Sequence, residues 1–387
     1  MKEGLKIKIV ADDKIPFLKG VLEQVADMVY LPGKEISAED VRDADALITR
    51  TRTCCDASLL DGSGVKFIAT ATIGYDHIDT EYCERQGIRW TNAPGCNSCS
   101  VEQYILSVFL NIAGLENFDL TSKTLGIVGV GYVGSKVERI ARALGMRVLL
   151  NDPPRARDEG PHTFVDLAQI LQEADIITLH VPLNLSGEDK THHLAGHDFF
   201  AQLAKKVFFI NSSRGGVVDS EALKAALKDQ RLAGAVLDVW EGEPGIDLEL
   251  LDLARIGTTH IAGYSADGKA NGTSMSVQAI SKFFGLGFDN WSPDDIPAPE
   301  HPEITLDATG MDRQEVMLEV VNRSYNVMED DRRLRESPER FEDLRGTYPI
   351  RREAGAFRVR IINDQSDAGA ILEKLGYQVI NNRNDNN

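Results

Sequence analysis

Three residues of complementary chemistry fall at the ends of three successive apolar runs: Arg214 after KVFFINSS at 206 to 213, Glu243 after LAGAVLDVW at 232 to 240, and His260 within TTHIAG at 258 to 263. A histidine titrates near neutral pH, so it can take the proton of an alcohol and return it in reverse. A glutamate can hold an imidazole in one orientation and stabilise its protonated form. The planar fork of an arginine can grip a carboxylate and polarise the adjacent oxygen. Plainer readings stand beside these: a surface arginine after a strand, a turn acid before Pro244, a satisfied core histidine. Other histidines compete for the role of acid or base, namely His77, His180 and the His192-His193 pair.

Proton transfer at a hydroxyl has most use beside a hydride acceptor, and residues 124–152 offer a place for one. They read TLGIVGVGYVGSKVERIARALGMRVLLND: an apolar run, a glycine turn, an amphipathic stretch, a second apolar run, then an acid. In such a strand-turn-helix-strand unit Gly129 permits the tight turn, Gly131 lets the backbone approach a pyrophosphate, and Gly134 lets the helix pack closely on the strand. The helix start at Tyr132 and Val133 supplies free N–H groups to the phosphates. Asp152, 18 residues beyond Gly134, can accept hydrogen bonds from an adenosine ribose and repel a 2′-phosphate, which favours NAD over NADP. Arg155 and Arg157 could meet a 2′-phosphate, but Pro153 and Pro154 are expected to turn the chain away first.

The elements that must position these groups alternate along the chain. From Ile7 to about Pro94 the runs IKIV, ALIT, KFIATAT and IRWTN alternate with helical stretches, one entered at Pro16. SVEQYILSVFLNIAGL, from Ser100 to Leu115, reads as an amphipathic helix crossing between two lobes that leave a cleft. Beyond Asp152 the rhythm continues through DIITLHV at 175 to 181 into the three runs named first, indicating a parallel sheet covered on both faces. A helical stretch from about Lys269 to Phe288 precedes the linker NWSPDDIPAPEHPEI. From about Glu303 come a charged helical region and a strand-helix-strand pattern, FRVRIIND, DAGAILEKLG and YQVI; the tail NNRNDNN is expected to fray.

The expected architecture is α/β: two Rossmann-like doubly wound domains flanking a cleft, plus a small C-terminal α+β dimerisation domain. Residues 1–98 with 264–288 form the substrate-binding lid, 99–263 the NAD-binding domain and 289–387 the third domain. That last piece would be marginal alone and is expected to lean on a second copy of the chain.

Composition narrows the partners. Lys and Arg number 42 against 60 Asp and Glu, a net charge of −18, which argues against nucleic acid or an anionic membrane surface. No apolar run approaches the roughly 20 residues of a membrane span, and MKEGLKIKIVADD lacks the apolar core of a signal peptide, so a cytoplasmic enzyme is expected. The 5 cysteines (Cys54, Cys55, Cys83, Cys96, Cys99) are odd in number; Cys96 and Cys99 form a CxxC without a second pair, so neither a disulfide framework nor a metal site is expected.

Three blocks carry a family resemblance that covers nearly the whole chain: INSSRGGVVD around Arg214, LDVWEGEP from Leu237 to Pro244 and THIAGYSADGK around His260. Behind a dinucleotide fingerprint, they resemble the signature blocks of the D-2-hydroxyacid dehydrogenases. The resemblance implies Arg214, Glu243 and His260 as the catalytic set, Asp238 beside the nicotinamide, and Val181, Ser212, Ser213 and Gly263 lining NAD. ATATIGYDHID near Thr72, NAPGCNS near Cys96 and Gly263-Tyr264 are similar to a branch that oxidises a phosphorylated four-carbon 2-hydroxy acid, as is the C-terminal segment, which resembles that branch's dimerisation domain. This implies that Thr51, where serine is expected, Thr72 and Tyr264 touch the substrate, and that the chain forms a homodimer. Backbone N–H groups near Ile73 and Gly74 would assist at the carboxylate. A phosphate needs a further cation, for which Arg50, Arg345, Arg351 and Arg352 are candidates. Two alternatives remain open: a dehydrogenase for another D-2-hydroxy acid such as 3-phosphoglycerate, and an NAD(H)-sensing binding protein without turnover.

Overall fold

Apolar runs rich in Val, Ile and Leu form the central strands, buried on both faces, of two of the three parallel sheets among the described residues. The computed structural model describes residues 6–160 and 162–380; the tail NNRNDNN lies outside the described residues. The chain divides into two compact units, 1–97 with 265–297 and 98–264 with 298–387.

In the first unit β1 (Ile7–Asp12), β2 (Ala26–Leu31), β3 (Ala46–Thr49), β4 (Phe67–Thr70) and β5 (Arg89–Thr91) pair in the order β2-β1-β3-β4-β5. Val10, Leu47 and Ile68 pack to one side of this sheet, and Ile9, Ile48 and Ala69 to the other with Val277 and Ile280. Those last two lie on the helix Ala266–Phe284, capped by the Ser265 hydroxyl at its start and by Gly285, with φ 70°, at its end. The segment entered at Pro16 is not helical: Phe17 and Gly20 adopt φ of 63° and 89°, which interrupt a right-handed helix.

The second unit holds β6 (Thr124–Val128), β7 (Arg147–Asn151), β8 (Ile176–Leu179), β9 (Val207–Asn211), β10 (Leu232–Leu237) and β11 (Ile256–Gly257), in the order β11-β10-β9-β8-β6-β7. The chain crosses from β7 past β6 to β8, so the strand order reverses between β6 and β8. Ligands of open α/β sheets bind at such a switch point. A third sheet contains β12 (Glu303–Asp307), β13 (Arg358–Ile362) and β14 (Gln378–Val379), also parallel. The first of these strands, EITLD, alternates exposed and buried residues and escaped the sequence reading because it abuts the proline-rich linker.

Two expectations are corrected. The helix Ser98–Glu116 is not amphipathic: every residue from Ser100 to Ala113 is buried. It is a core element of the second unit, packed among residues of β6 on one hand and Val316, Val320 and Phe357 on the other. Its one acid in that stretch, Glu102, is held by Arg139 at 2.6 Å. The run TTHIAG is not a strand either. β11 ends at Gly257; the Thr258 N–H still reaches the Leu237 carbonyl of β10, but the Ile261 and Ala262 N–H groups go to a carboxylate instead of a neighbouring strand.

Candidate active site

Asp238 organises the loop after β11. Its side chain is 1% exposed and accepts three hydrogen bonds: from the Thr258 hydroxyl at 2.7 Å, the Ile261 N–H at 2.7 Å and the Ala262 N–H at 2.9 Å. Its carbonyl accepts the His260 N–H at 2.7 Å. Thr258 in turn pairs with the Tyr104 hydroxyl at 2.9 Å, and its carbonyl accepts the Trp240 indole N–H at 2.8 Å. Within this frame His260 takes φ of 57°, a left-handed conformation uncommon for a side-chain-bearing residue.

The imidazole meets Glu243, with Nδ1 2.8 Å from Oε2. The other carboxylate oxygen accepts the Trp240 N–H at 2.8 Å. Burial alone would push the Glu243 carboxyl up; the hydrogen bond and charge of His260, the Trp240 N–H and the charge of Arg345 outweigh it and hold the group below its ordinary value. Glu243 is therefore an anion that holds His260 by Nδ1, and Nε2 is not part of that pair.

Arg214 precedes a short turn, Gly215–Val217. Asn211, the last residue of β9, shapes this exit: its Oδ1 accepts from the Ser213 N–H and hydroxyl, and its Nδ2 donates to the Arg214 carbonyl at 3.0 Å. A Cβ on Gly215 would fall 2.0 Å from the Trp240 carbonyl, so glycine alone lets the Arg214 turn seat against the backbone leading to Glu243. The competing histidines are differently placed. His180 is half-buried, its ring nitrogen on Thr178, and burial drives its pKa down to about 3. Burial also lowers that of His77. His192 and His193 stack at 4.0 Å, with His193 held by Glu241 at 2.7 Å.

The glycine turn after β6 fits a dinucleotide. Gly129 has φ of 88°, and a Cβ there would lie 2.6 Å from the His180 carbonyl and 2.8 Å from Val181 Cγ1, on the exit of β8. A Cβ on Gly134 would lie 2.0 Å from the Gly129 carbonyl, whereas one on Gly131 would meet nothing within 4 Å. Gly131 caps the helix Tyr132–Ala143, and Tyr132 is 65% exposed. The open space above Gly131 suits a pyrophosphate at the helix start. Asp152 accepts the Val130 N–H on Oδ2 and the Arg155 N–H on Oδ1, and carboxylate lone pairs remain for ribose hydroxyls. Pro153 and Pro154 open a helix, Pro153–Glu159. Arg155 pairs there with Glu159 and donates to the Val130 carbonyl of the glycine turn, while Arg157 pairs with Asp189 and Glu188. At the exit of β9 the buried Ser212 hydroxyl has no hydrogen-bond partner, while that of Ser213 is committed to Asn211. Gly263 lies in the turn closed by the Tyr264 N–H on the Ile261 carbonyl.

Of the residues expected at the substrate, Thr72, Ile73 and Gly74 form the loop after β4 of the first unit. The Thr72 hydroxyl pairs with that of Thr70 and with the Gly74 carbonyl, and Asn92 Nδ2 holds the Ile73 carbonyl at 2.7 Å. Thr51 is exposed in the turn after β3. Beside it, Arg50 is gripped by the buried Asp12 through Nε and Nη2, at 3.0 and 3.2 Å. In the second unit the Tyr264 hydroxyl accepts from Arg345 at 3.2 Å. Arg351 is not available to a phosphate: it is buried and donates to main-chain carbonyls. The Arg352 carbonyl accepts from Gln103. All five cysteines are free thiols. The sequence reading missed the structural roles of Tyr104, Thr258 and Trp240, which the hydrogen bonds of Thr258 make visible, and took Arg351 for a phosphate candidate where it is a buried donor to main-chain carbonyls.

The family described as D-isomer specific 2-hydroxyacid dehydrogenase, NAD binding domain, matches residues 110–262, and a domain of unknown function matches 296–376. The chain is 53% identical over 355 residues to erythronate-4-phosphate dehydrogenase of Bacteroides thetaiotaomicron, covering 91% of this chain and 99% of that one. It is 46% identical over 354 residues to the enzyme of that name from Porphyromonas gingivalis, covering 91% and 95%. Among solved structures it is similar to D-lactate dehydrogenase from Aquifex aeolicus complexed with NAD and lactic acid, with TM-score 0.61 and 26% identity over 73% of this chain and 96% of that one. NAD-bound 3-phosphoglycerate dehydrogenase from Entamoeba histolytica gives TM-score 0.62 and 26% identity, covering 75% and 99%.

Proposed function

The chain belongs to the erythronate-4-phosphate dehydrogenases of the D-isomer specific 2-hydroxyacid dehydrogenase family, and from that premise we propose how its own residues perform the reaction. It is an NAD-dependent oxidoreductase that converts 4-phospho-D-erythronate to (R)-3-hydroxy-2-oxo-4-phosphooxybutanoate, a step of pyridoxal phosphate biosynthesis. NAD, when bound, supplies the acceptor for the hydride on carbon 2. His260 Nε2 takes the proton of the 2-hydroxyl, and Glu243 holds the ring and stabilises its charge. Arg214 grips the substrate carboxylate and polarises the oxygen being oxidised. Gly129, Gly131, Tyr132, Val133 and Gly134 would hold the pyrophosphate, Asp152 the ribose, and Val181, Ser212, Ser213, Asp238 and Gly263 the remainder of the cofactor. Thr51, Thr72, Ile73, Gly74 and Tyr264 are the proposed substrate contacts, with the free edge of Arg50 for the phosphate.

The observation that carries this reading is the 2.8 Å pairing of His260 with an anionic Glu243. Its test is conversion of 4-phospho-D-erythronate in the presence of NAD and a 2-oxo acid acceptor, read by mass spectrometry beside 3-phosphoglycerate and D-lactate. His260→Ala should lower kcat by about 100- to 10,000-fold. Equal turnover of the His260→Ala enzyme would sink the mechanism, and product mainly from 3-phosphoglycerate would move the substrate. The free thiols fit a cytosolic setting. No helix among the described residues is long and apolar enough to cross a membrane. A homodimer through residues 289–387, where Ile350 is 63% exposed, fits the same reading; light scattering near twice 42.6 kDa would support it.

A further inference from the structure

The C-terminal segment reaches the His260 loop at both ends. Asp331, on the helix Val327–Glu336, accepts the Gly257 N–H at 2.7 Å where the loop begins. From the same helix Arg335 donates to the carbonyls of Leu251 and Ala254, at 2.9 and 2.8 Å, bracing the chain that leads into β11. Where the loop ends, Arg351 donates Nη2 to the carbonyls of Ala262 at 2.6 Å and Ser100 at 2.9 Å, and Nη1 to that of Ile261 at 3.3 Å.

Ile261 and Ala262 are the two residues whose N–H groups bind Asp238. The peptide between them is thus held at both polar ends, its N–H by Asp238 and its carbonyl by Arg351. A buried guanidinium is costly without partners, and this one has them at both terminal nitrogens, though not at Nε: it lies 4.3 Å over the Tyr325 ring, beside the charge of Asp330, whose carboxylate accepts the hydroxyls of Tyr325 and Tyr348. Such a site spends a buried cation on three carbonyls, where an apolar side chain would have filled the space at less cost.

We propose that Arg351 is a positioning residue for His260, and that the segment matched by a domain of unknown function is a working part of the oxidoreductase site. The inference deepens the proposed function and rests on it. Loss of the grip lets the loop after His260 shift, and misplacement by about 1 Å costs a reaction roughly 100-fold.

The test uses the full chain with Arg351→Met, Arg351→Lys and the core control Phe357→Leu, comparing kcat, KM and Tm. Arg351→Met should lose about 100-fold in kcat with KM for NAD nearly unchanged, and Arg351→Lys about 10-fold. Phe357→Leu should lower Tm but keep kcat. Wild-type kcat in a folded Arg351→Met enzyme, or kcat falling with Tm in Phe357→Leu as well, overturns the proposal. Should Arg351→Met not fold, Arg351→Lys decides, and wild-type kcat there overturns it. Hydrogen exchange at 257–264 reads the grip without turnover: Arg351→Lys should exchange faster there, and unchanged protection overturns the proposal. No turnover by the unmodified enzyme would instead fail the functional reading, with the exchange measurement still deciding this one.

Discussion

The glycine turn at 129–134 and the His260 loop at 257–264 both close off strand ends of one sheet, yet they are held by opposite means. The turn is fixed chiefly by sterics within its own unit of sequence, where Gly134 sits against the Gly129 carbonyl, although Gly129 also abuts His180 at the exit of β8. The loop is fixed by groups remote in the chain, with Asp238 some 20 residues away and Arg351 some 90. Space for a backbone can be specified locally, whereas the aim of a single imidazole has to be built from several directions.

The largest expected effect would break the turn. Gly134→Ala places a methyl 2.0 Å from a backbone oxygen that cannot move freely, and overpacking of this kind costs about 1–3 kcal/mol or more. NAD affinity should fall steeply with Tm; calorimetry showing wild-type affinity would mean that the helix can retreat at no cost. Asp238→Asn strikes the loop with less change of shape. One acceptor becomes an NH2 facing donors, a penalty of about 1–3 kcal/mol, and kcat should fall while the glycine turn keeps its structure. Equal loss of function through KM for NAD alone would erase the distinction between the two regions.

The smallest effect sharpens it through pH. The folded-state pKa of Glu243 lies below its ordinary value, so its pairing with His260 contributes stability that is present above the unfolded-state value and lost as pH falls through the lower folded one. Between pH 6 and 3.5, Glu243→Gln should therefore show a shallower decline of Tm than the unmodified chain. Matching slopes would mean the pair contributes nothing.

This contrast explains what the sequence could disclose. The GVGYVG turn, the strand runs and the acid at Asp152 are legible because each is a local pattern with one steric reading. Arg214, Glu243 and His260 were visible as residue types at strand exits, and the family resemblance narrowed their roles. The loop character of 258–263 is not legible: T, T, H, I and A read as strand, and Asp238 drawing the Ile261 and Ala262 N–H groups to its carboxylate makes a loop of them. The helix Ser98–Glu116 was misread for the same reason, since the segment that buries its second face lies past residue 298.

That helix also sets a clock for synthesis. Asn111 bonds to Asn322, 211 residues later. At the ribosome's pace of about 5–20 residues per second, roughly 10 to 40 s separate the emergence of the two. For that interval an apolar helix leaves the ribosome without the part of its own protein that covers it, so the nascent chain stays prone to aggregate until that part arrives, even after the dinucleotide sheet is complete at Gly257.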